Sequence, residues 1–186
     1  MLEMTVSIPG LDKFNAALAD LSKGVYFQKA KAELLPQVGE RLKARAQQLV
    51  PKAFGTLEKS IDYKVQGDSV LVGVLRDARN PGSTTGTMRY GMDVEFGSGA
   101  HFPPPMALEP WMRQKGMSGS PWGVAINISK KGTPAQPFLR PALVQTVPDI
   151  EKLTRLSYTN ALNDFARRAG GGLLGRIGDF FRGFFG

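Results

Sequence analysis

The sequence predicts an α+β fold, in which a small antiparallel sheet packs against a long N-terminal helix and a C-terminal helix, with a helical insertion. Three patterns support this fold class. Apolar residues recur at helical spacing in residues 25–50 and again in residues 143–165. Two short runs flank a Gly-Asp pair in the pattern of a hairpin, and residues 101–133 contain prolines placed as helix starts.

The N-terminal part of the chain is expected to be mostly helical. Residues 4–8 alternate before a Pro-Gly pair, which predicts a short strand and a turn. Residues 11–24 show helical spacing and end in glycine. A longer amphipathic helix is predicted over residues 25–50. Pro36 is expected to kink this helix or divide it in two, because proline lacks the amide donor and clashes with the preceding turn.

A β-hairpin is predicted next. Residues 60–66 and 69–75 form two strand-like runs, and Gly67-Asp68 between them suits a tight turn. The polar residues 77–88 are expected to stand away from the core. Residues 89–96 are apolar and aromatic, so they should return to the core as either a strand or a short helix.

Residues 101–133 are expected to form an inserted pair of helices. Prolines at the start of 103–115 and 121–131 predict one helix in each range, with a glycine-containing turn between them. For the second range, a strand formed by residues 124–128 is the alternative. A proline-rich stretch then leads into a long C-terminal helix, in which Pro148 should cause an irregularity.

We predict one α+β domain over residues 1–169 and a separate amphipathic segment over residues 170–186, called the C-terminal segment below. Three glycines, 170–172, connect the two. The apolar residues of this segment fall on one face of a helix and are Leu173, Leu174, Ile177, Phe180, Phe181, Phe184 and Phe185.

This apolar face cannot remain in water at low cost. Interior glycines each cost a helix about 1 kcal/mol relative to alanine, so the C-terminal segment should become ordered only on contact. We expect it to dock within an assembly, on a neighbouring subunit or another protein. The alternatives are packing on its own domain and binding to a membrane surface.

The composition excludes several classes of site. The chain has 186 residues, with no cysteine and one histidine. Disulfides, thiolate zinc sites, iron–sulfur clusters and thiol nucleophiles need cysteine, and a paired-histidine metal site needs a second imidazole. The sequence therefore weighs against an enzyme and predicts no cofactor. His101 and Ser98 are close in sequence, but nothing resembling a nucleophile elbow surrounds the serine.

The sequence shows no sign of export or of membrane insertion. The first residues lack a basic region followed by an apolar stretch, so we expect no signal peptide. A transmembrane helix needs about 18 or more consecutive apolar residues, and no such run is present.

Three stretches of sequence form an ordered pattern. The first contains Val50, Pro51, Gly55, Leu57, Ser60 and Ile61. The second contains Tyr90, Val94, Glu95, Phe96 and Gly97. The third contains Pro134, Pro137, Phe138, Leu139, Arg140, Pro141, Ala142 and Leu143. In this order and spacing they resemble the bacteriophage tail-completion or neck proteins, the head-to-tail joining components similar to minor tail protein Z.

The resemblance covers residues 30–145 and implies a structural virion protein without catalysis. It implies a protomer that completes or caps the tail tube at the head-to-tail junction as a homo-oligomeric ring, hexameric if it matches the tube. Head-closure, tail-terminator or tail-tube proteins would be its neighbours, and assembly would take place in the bacterial cytoplasm. Phe54 stands where the family usually has threonine, and neither residues 1–24 nor the tail after Gly170 has a counterpart in the family.

Several residues within these stretches are candidates for subunit contacts. Glu95 lies among apolar residues, so it should form an ion pair with another subunit or be satisfied within its own. Phe138 and Arg140 are held by stiff prolines, as an interface anchor requires, or else Phe138 simply belongs to the core. The full set of interface candidates is Glu95, Phe96, Pro137, Phe138, Arg140 and Pro141.

Positive charge is concentrated in the second half of the chain. The net charge is +8, of which residues 101–186 contribute +6. No DNA-recognition motif is visible, so the charge suggests contact with an acidic ring or transient contact with DNA in the lumen. Lys130 and Lys131 either stabilise the carbonyl end of their helix through its dipole or contact a phosphate. A basic DNA-binding protein and a membrane-active protein are the two alternative functions.

Overall fold

The computed structural model describes residues 11–79 and 86–169, and its helix-rich α+β architecture confirms the predicted fold class. The elements, in chain order, are α1 (Leu11–Ser22), α2 (Val25–Leu49), α3 (Thr56–Ser60), β1 (Ile61–Gln66), β2 (Ser69–Val74), α4 (Thr87–Phe96), α5 (Pro105–Gln114), α6 (Pro121–Lys131) and α7 (Leu139–Arg168). The predicted strand over residues 4–8 and the C-terminal segment lie outside the described residues.

The contacts within the chain divide it into two compact units. Among the described residues, one unit contains residues 11–37 together with residues 148–169, and the other lies within Val38–Val147. The predicted domain limits, residues 1–169 with 170–186 attached, stay a prediction. Both α2 and α7 continue through an internal proline, Pro36 and Pro148, so the predicted division of the N-terminal helix is wrong. Each proline removes one helical hydrogen bond, and the bonds on either side maintain the helix.

The first unit has a core formed by the beginning of α2 and the end of α7. Tyr26 and Phe165 stack edge to face, with their ring centroids 5.8 Å apart. Ala30, Ala161 and Ala169 are buried beside them. Alanine at these positions places little bulk between the helices, so their backbones can approach closely.

The second unit is built around the hairpin. Strands β1 and β2 pair antiparallel in a register that places Ile61 opposite Val74 and Gln66 opposite Ser69, as the Gly67-Asp68 turn predicts. Its buried core consists of Ala46, Val50, Leu57, Ile61, Phe138 and Ala142. Phe138 has no exposed surface and is the largest of these side chains.

Two segments left open by the sequence are both helical. Residues 87–96 form α4, and residues 121–131 form α6, so the strand alternative for residues 124–128 is wrong. The Ser120 side chain caps α6 by accepting a hydrogen bond from the Trp122 amide, and Pro121 occupies the first turn. Gly132, with a φ of 70°, ends the helix. These local signals outweigh the β-branched residues within the segment.

Candidate functional site

Glu95 is a buried cap for the N-terminus of α7. Its Oε2 accepts hydrogen bonds from the amides of Phe138 and Leu139 at 2.7 and 2.9 Å, and its Oε1 accepts one from Arg140 at 3.1 Å. The first amides of a helix have no intrahelical acceptor and carry partial positive charge, so a carboxylate stabilises them. Glu95 is therefore satisfied within its own chain, and the alternative of an inter-subunit ion pair does not describe it.

The second and third stretches of the family pattern are joined by further backbone contacts. The Gln136 amide donates to the Val94 carbonyl at 2.7 Å, and Ser98 forms a bridge with Thr133. Gly97, at a φ of 76°, passes so close to this segment that an added Cβ would lie 2.7 Å from the Thr133 carbonyl oxygen. The connection between α4 and α7 thus depends on the Glu95 carboxylate and on a glycine at position 97.

The six interface candidates separate into interior and surface residues. Glu95 and Phe138 are buried, so Phe138 belongs to the core and is not an interface anchor. Pro141 is partly buried. The exposed candidates are Phe96, Pro137 and Arg140. Sequence reasoning grouped all six because it identified the motif but not which side of each element faces the core.

Phe96 belongs to an exposed apolar row on α4. The side chains of Met88, Met92 and Phe96 are 52%, 63% and 75% exposed, and their spacing of four residues places them on one side of the helix. This row is called the α4 stripe below. Sequence analysis missed the two methionines because the row appears only when residues 88–96 are taken as a helix. Exposed large apolar side chains in one row are typical of an interaction surface.

A cleft of about 690 Å³ lies within the second unit, beside the opposite side of α4. Its apolar walls include Phe54, Tyr90, Val94, Leu108, Trp111 and Ile128. Its polar lining consists of Asp93, Ser98, His101, Lys115, Thr133 and Gln136. The volume is within the range of about 300–1,000 Å³ that is usual for ligand sites. Sequence analysis did not predict this cleft, because its walls come from five separate segments of the chain.

His101 and Ser98 meet at the edge of this cleft. Ser98 Oγ lies 2.8 Å from Thr133 Oγ1 and 3.4 Å from His101 Nδ1, and the same imidazole nitrogen lies 2.9 Å from the Gly99 carbonyl oxygen. That carbonyl can only accept, so an Nδ1–H that donates to it would leave this nitrogen unable to act as a base for the serine. The arrangement braces the turn after α4, and the expectation that the chain is not an enzyme stays a prediction.

Two ionisable groups of the second unit have altered pKa values. The Lys43 ammonium and the Tyr63 amide, with Arg76, lower the pKa of Asp62 to about 2; its carboxylate lies 3.0 Å from Lys43 Nζ and 2.6 Å from an Arg76 nitrogen. In the cleft, burial raises the pKa of Tyr90, and the neighbouring Asp93 adds to this effect.

Lys130 and Lys131 are both exposed in the last turn of α6. Cations at this end of a helix interact favourably with its carbonyl groups, which accounts for the pair without a ligand. The phosphate contact stays a prediction. Residues 11–79 and 86–169 contain no cluster of three or more metal-ligating His, Asp or Glu side chains. In the same ranges, no helix has the length and apolar character needed to cross a bilayer.

No family model, no curated protein and no solved structure matches the chain.

Proposed function

We propose that this chain is a structural protein of a bacteriophage virion, which completes or caps the tail at the head-to-tail junction as an oligomeric ring. The observation that carries the proposal is the way the three stretches of the family pattern meet. Val50, Leu57 and Ile61 from the first stretch pack with Phe138 and Ala142 from the third in one core. Tyr90 and Val94 from the second stretch border that core.

Glu95 adds a specific link between the second and third stretches by capping α7. Apolar residues gather in the core of any folded domain, but a buried carboxylate that caps a helix from another stretch is a specific contact. The meeting of its residues therefore supports the view that the pattern specifies a fold, and it strengthens the resemblance on which the function rests.

The surface of the second unit is suited to repeated assembly. A closed ring needs two different complementary faces on each subunit, because each contact is made head to tail. The α4 stripe and the cleft lie on different sides of one helix and are both predominantly apolar. Arg140, Lys130 and Lys131 are exposed and are available to contact an acidic neighbouring ring or DNA in the lumen.

Electron microscopy of gold-labelled virions tests the location. We expect an antibody against the chain to mark the head-to-tail junction, and deletion of its gene to give unjoined heads and tails. Absence of the chain from that junction would refute the proposal. Duplex-DNA binding that weakens steeply with salt, without an assembly defect, would favour the DNA-binding alternative. Liposome binding that requires residues 173–186 would favour the membrane-active alternative.

A second experiment tests the assembly surface. Phe96→Asp places a charge in the α4 stripe and should shift the purified chain from oligomer to monomer in light scattering. Met117→Asp is the control, because Met117 is also exposed, at 44%, and lies outside the α4 stripe. Equal oligomeric states for both variants would show that the α4 stripe takes no part in the contacts between subunits.

A further inference from the structure

We propose that the cleft of the second unit receives the C-terminal segment of a neighbouring copy of this chain, an inference that rests on the ring proposed above. The structure supplies the cleft and the sequence supplies the occupant. Each copy would then donate one segment and accept one, which is the head-to-tail contact that closes a ring.

The cleft has the lining of a site for the apolar side chains of a helix. It has a volume of about 690 Å³, and Phe54, Leu108 and Trp111 contribute to its walls. Met106, at 66% exposure, also lines it. Methionine and aromatic side chains adapt to the shape of an inserted helix, and grooves that bind amphipathic helices are commonly lined with them.

The C-terminal segment has the matching pattern. Its seven apolar residues are spaced one, three, three, one, three and one positions apart, which gives the anchor spacing of a helix laid in a groove. From Leu173 to Gly186 the helix would be about 21 Å long at 1.5 Å per residue. Glycines 170–172 precede it and allow the chain to change direction before it enters the neighbouring copy.

Charges on the two partners are complementary. Asp93 and Lys115 are exposed and line the cleft, so it presents one charge of each sign to its occupant. The polar residues of the segment are Arg176, Asp179 and Arg182. Arg176 and Arg182 lie nearer the apolar face than Asp179 when the segment is helical, so one of them can pair with Asp93 beside the cleft.

Cysteine crosslinking between two copies tests this contact, because the natural chain contains no cysteine. One full-length variant carries Met106→Cys in the cleft. The other, marked with a size tag, carries Gly178→Cys at the border of the apolar face of the segment. After mixing and mild oxidation, we expect about tenfold more mixed dimer than in the controls, because docking raises the local concentration of the two thiols.

Two controls are matched to the two positions. Val144→Cys has a similar exposure to Met106→Cys, 64% against 66% for the native side chains, but lies outside both the cleft and the α4 stripe. Gly175→Cys lies on the polar side of the segment when it is helical. Equal crosslinking in test and control pairs would overturn the proposal. A double variant, Met106→Cys with Gly178→Cys, that crosslinks only within single chains would also overturn it.

Fluorescence of Trp111 provides a measurement that needs no cysteine. In a Trp122→Phe background, Trp111 is the only tryptophan and lines the cleft. Ile177→Asp should release the segment and shift the Trp111 emission to longer wavelength, whereas Gly175→Asp, with the same added charge, should not. An unchanged emission with Ile177→Asp would contradict docking.

The two proposals fail in different ways. If the chain is found at the head-to-tail junction but its cleft shows no preferred crosslink, the proposed function is supported and the docking of the C-terminal segment is refuted. If the chain crosslinks as expected but is absent from virions, the docking contact is supported and the proposed function is refuted.

Discussion

Replacement of Glu95 by glutamine tests the central contact of the second unit. The change keeps the size of the side chain and removes its charge. Glutamine can retain the two hydrogen bonds made by Oε2, but its amide group would then face the Arg140 N–H, which is also a donor. Hydrogen bonds to a charged group contribute about 1.5–3 kcal/mol, and an unsatisfied buried donor costs about 1–3 kcal/mol. We therefore expect Glu95→Gln to lower the free energy of unfolding by about 2–4 kcal/mol.

The assay is urea unfolding followed by tryptophan fluorescence. Both tryptophans, Trp111 and Trp122, lie in the same unit as Glu95, so their emission reports on that unit. Glu109→Gln is the matched control. Its carboxylate lies on α5 and pairs with Arg113 at the surface, so its loss should change stability by less than about 0.5 kcal/mol. A loss below about 1 kcal/mol for Glu95→Gln would refute the capping role, because removing the charge from the buried hydrogen bond to the Phe138 amide and from its two neighbours should cost at least that much.

Three further predictions concern packing and charge. Gly39→Ala should lower the free energy of unfolding, measured in urea, by about 1–3 kcal/mol, because the added Cβ would lie 2.2 Å from the Tyr63 ring. Gly123→Ala places its Cβ in open space within a helix, so it should raise the free energy of unfolding by about 0.5–1 kcal/mol. A stabilising Gly39→Ala would contradict that packing. Asp62→Asn should lower the urea midpoint at pH 7, because folding lowers the Asp62 pKa from 3.8 to about 2 and the charged carboxylate therefore stabilises the folded chain. The difference in midpoint between the wild-type chain and the variant should disappear as the pH falls through that interval. A difference that persists below about pH 2 would have another cause. Phe138→Ala should lower the free energy of unfolding by about 3–5 kcal/mol, because Phe138 is fully buried. Phe96→Ala should change the stability of the monomer by less than about 0.5 kcal/mol, because Phe96 is exposed. Equal losses for the two variants would contradict this difference in burial.

The contrast between Phe96 and Phe138 shows how much of the site was readable from the sequence. Both residues belong to the same family pattern, and both are aromatic. One is 75% exposed and the other is fully buried, because α4 presents Phe96 to solvent while the start of α7 directs Phe138 into the core. A motif identifies important positions, but exposure depends on which neighbours cover them in three dimensions.

The cleft was beyond sequence reasoning for a related reason. Residues from Pro51 to Gln136 line it, and they converge only because the loop before α3, α4, the α5–α6 pair and the loop after α6 belong to one unit. No local period records such a convergence. The hydrogen bonds of Ser98 and His101 were equally hidden, since Thr133 is separated from Ser98 by 35 positions.

The sequence by itself determined the local features of this protein. Helical periodicity, helix-starting prolines and the Gly67-Asp68 turn predicted the long helices, the inserted pair and the hairpin, because each signal acts within a few residues. The absence of cysteine likewise excluded thiol chemistry from the start. Tertiary structure decided the role of Glu95, the burial of Phe138 and the exposure of the α4 stripe. These depend on contacts between distant segments, and a buried carboxylate finds its partners only when the helix that it caps is brought beside it.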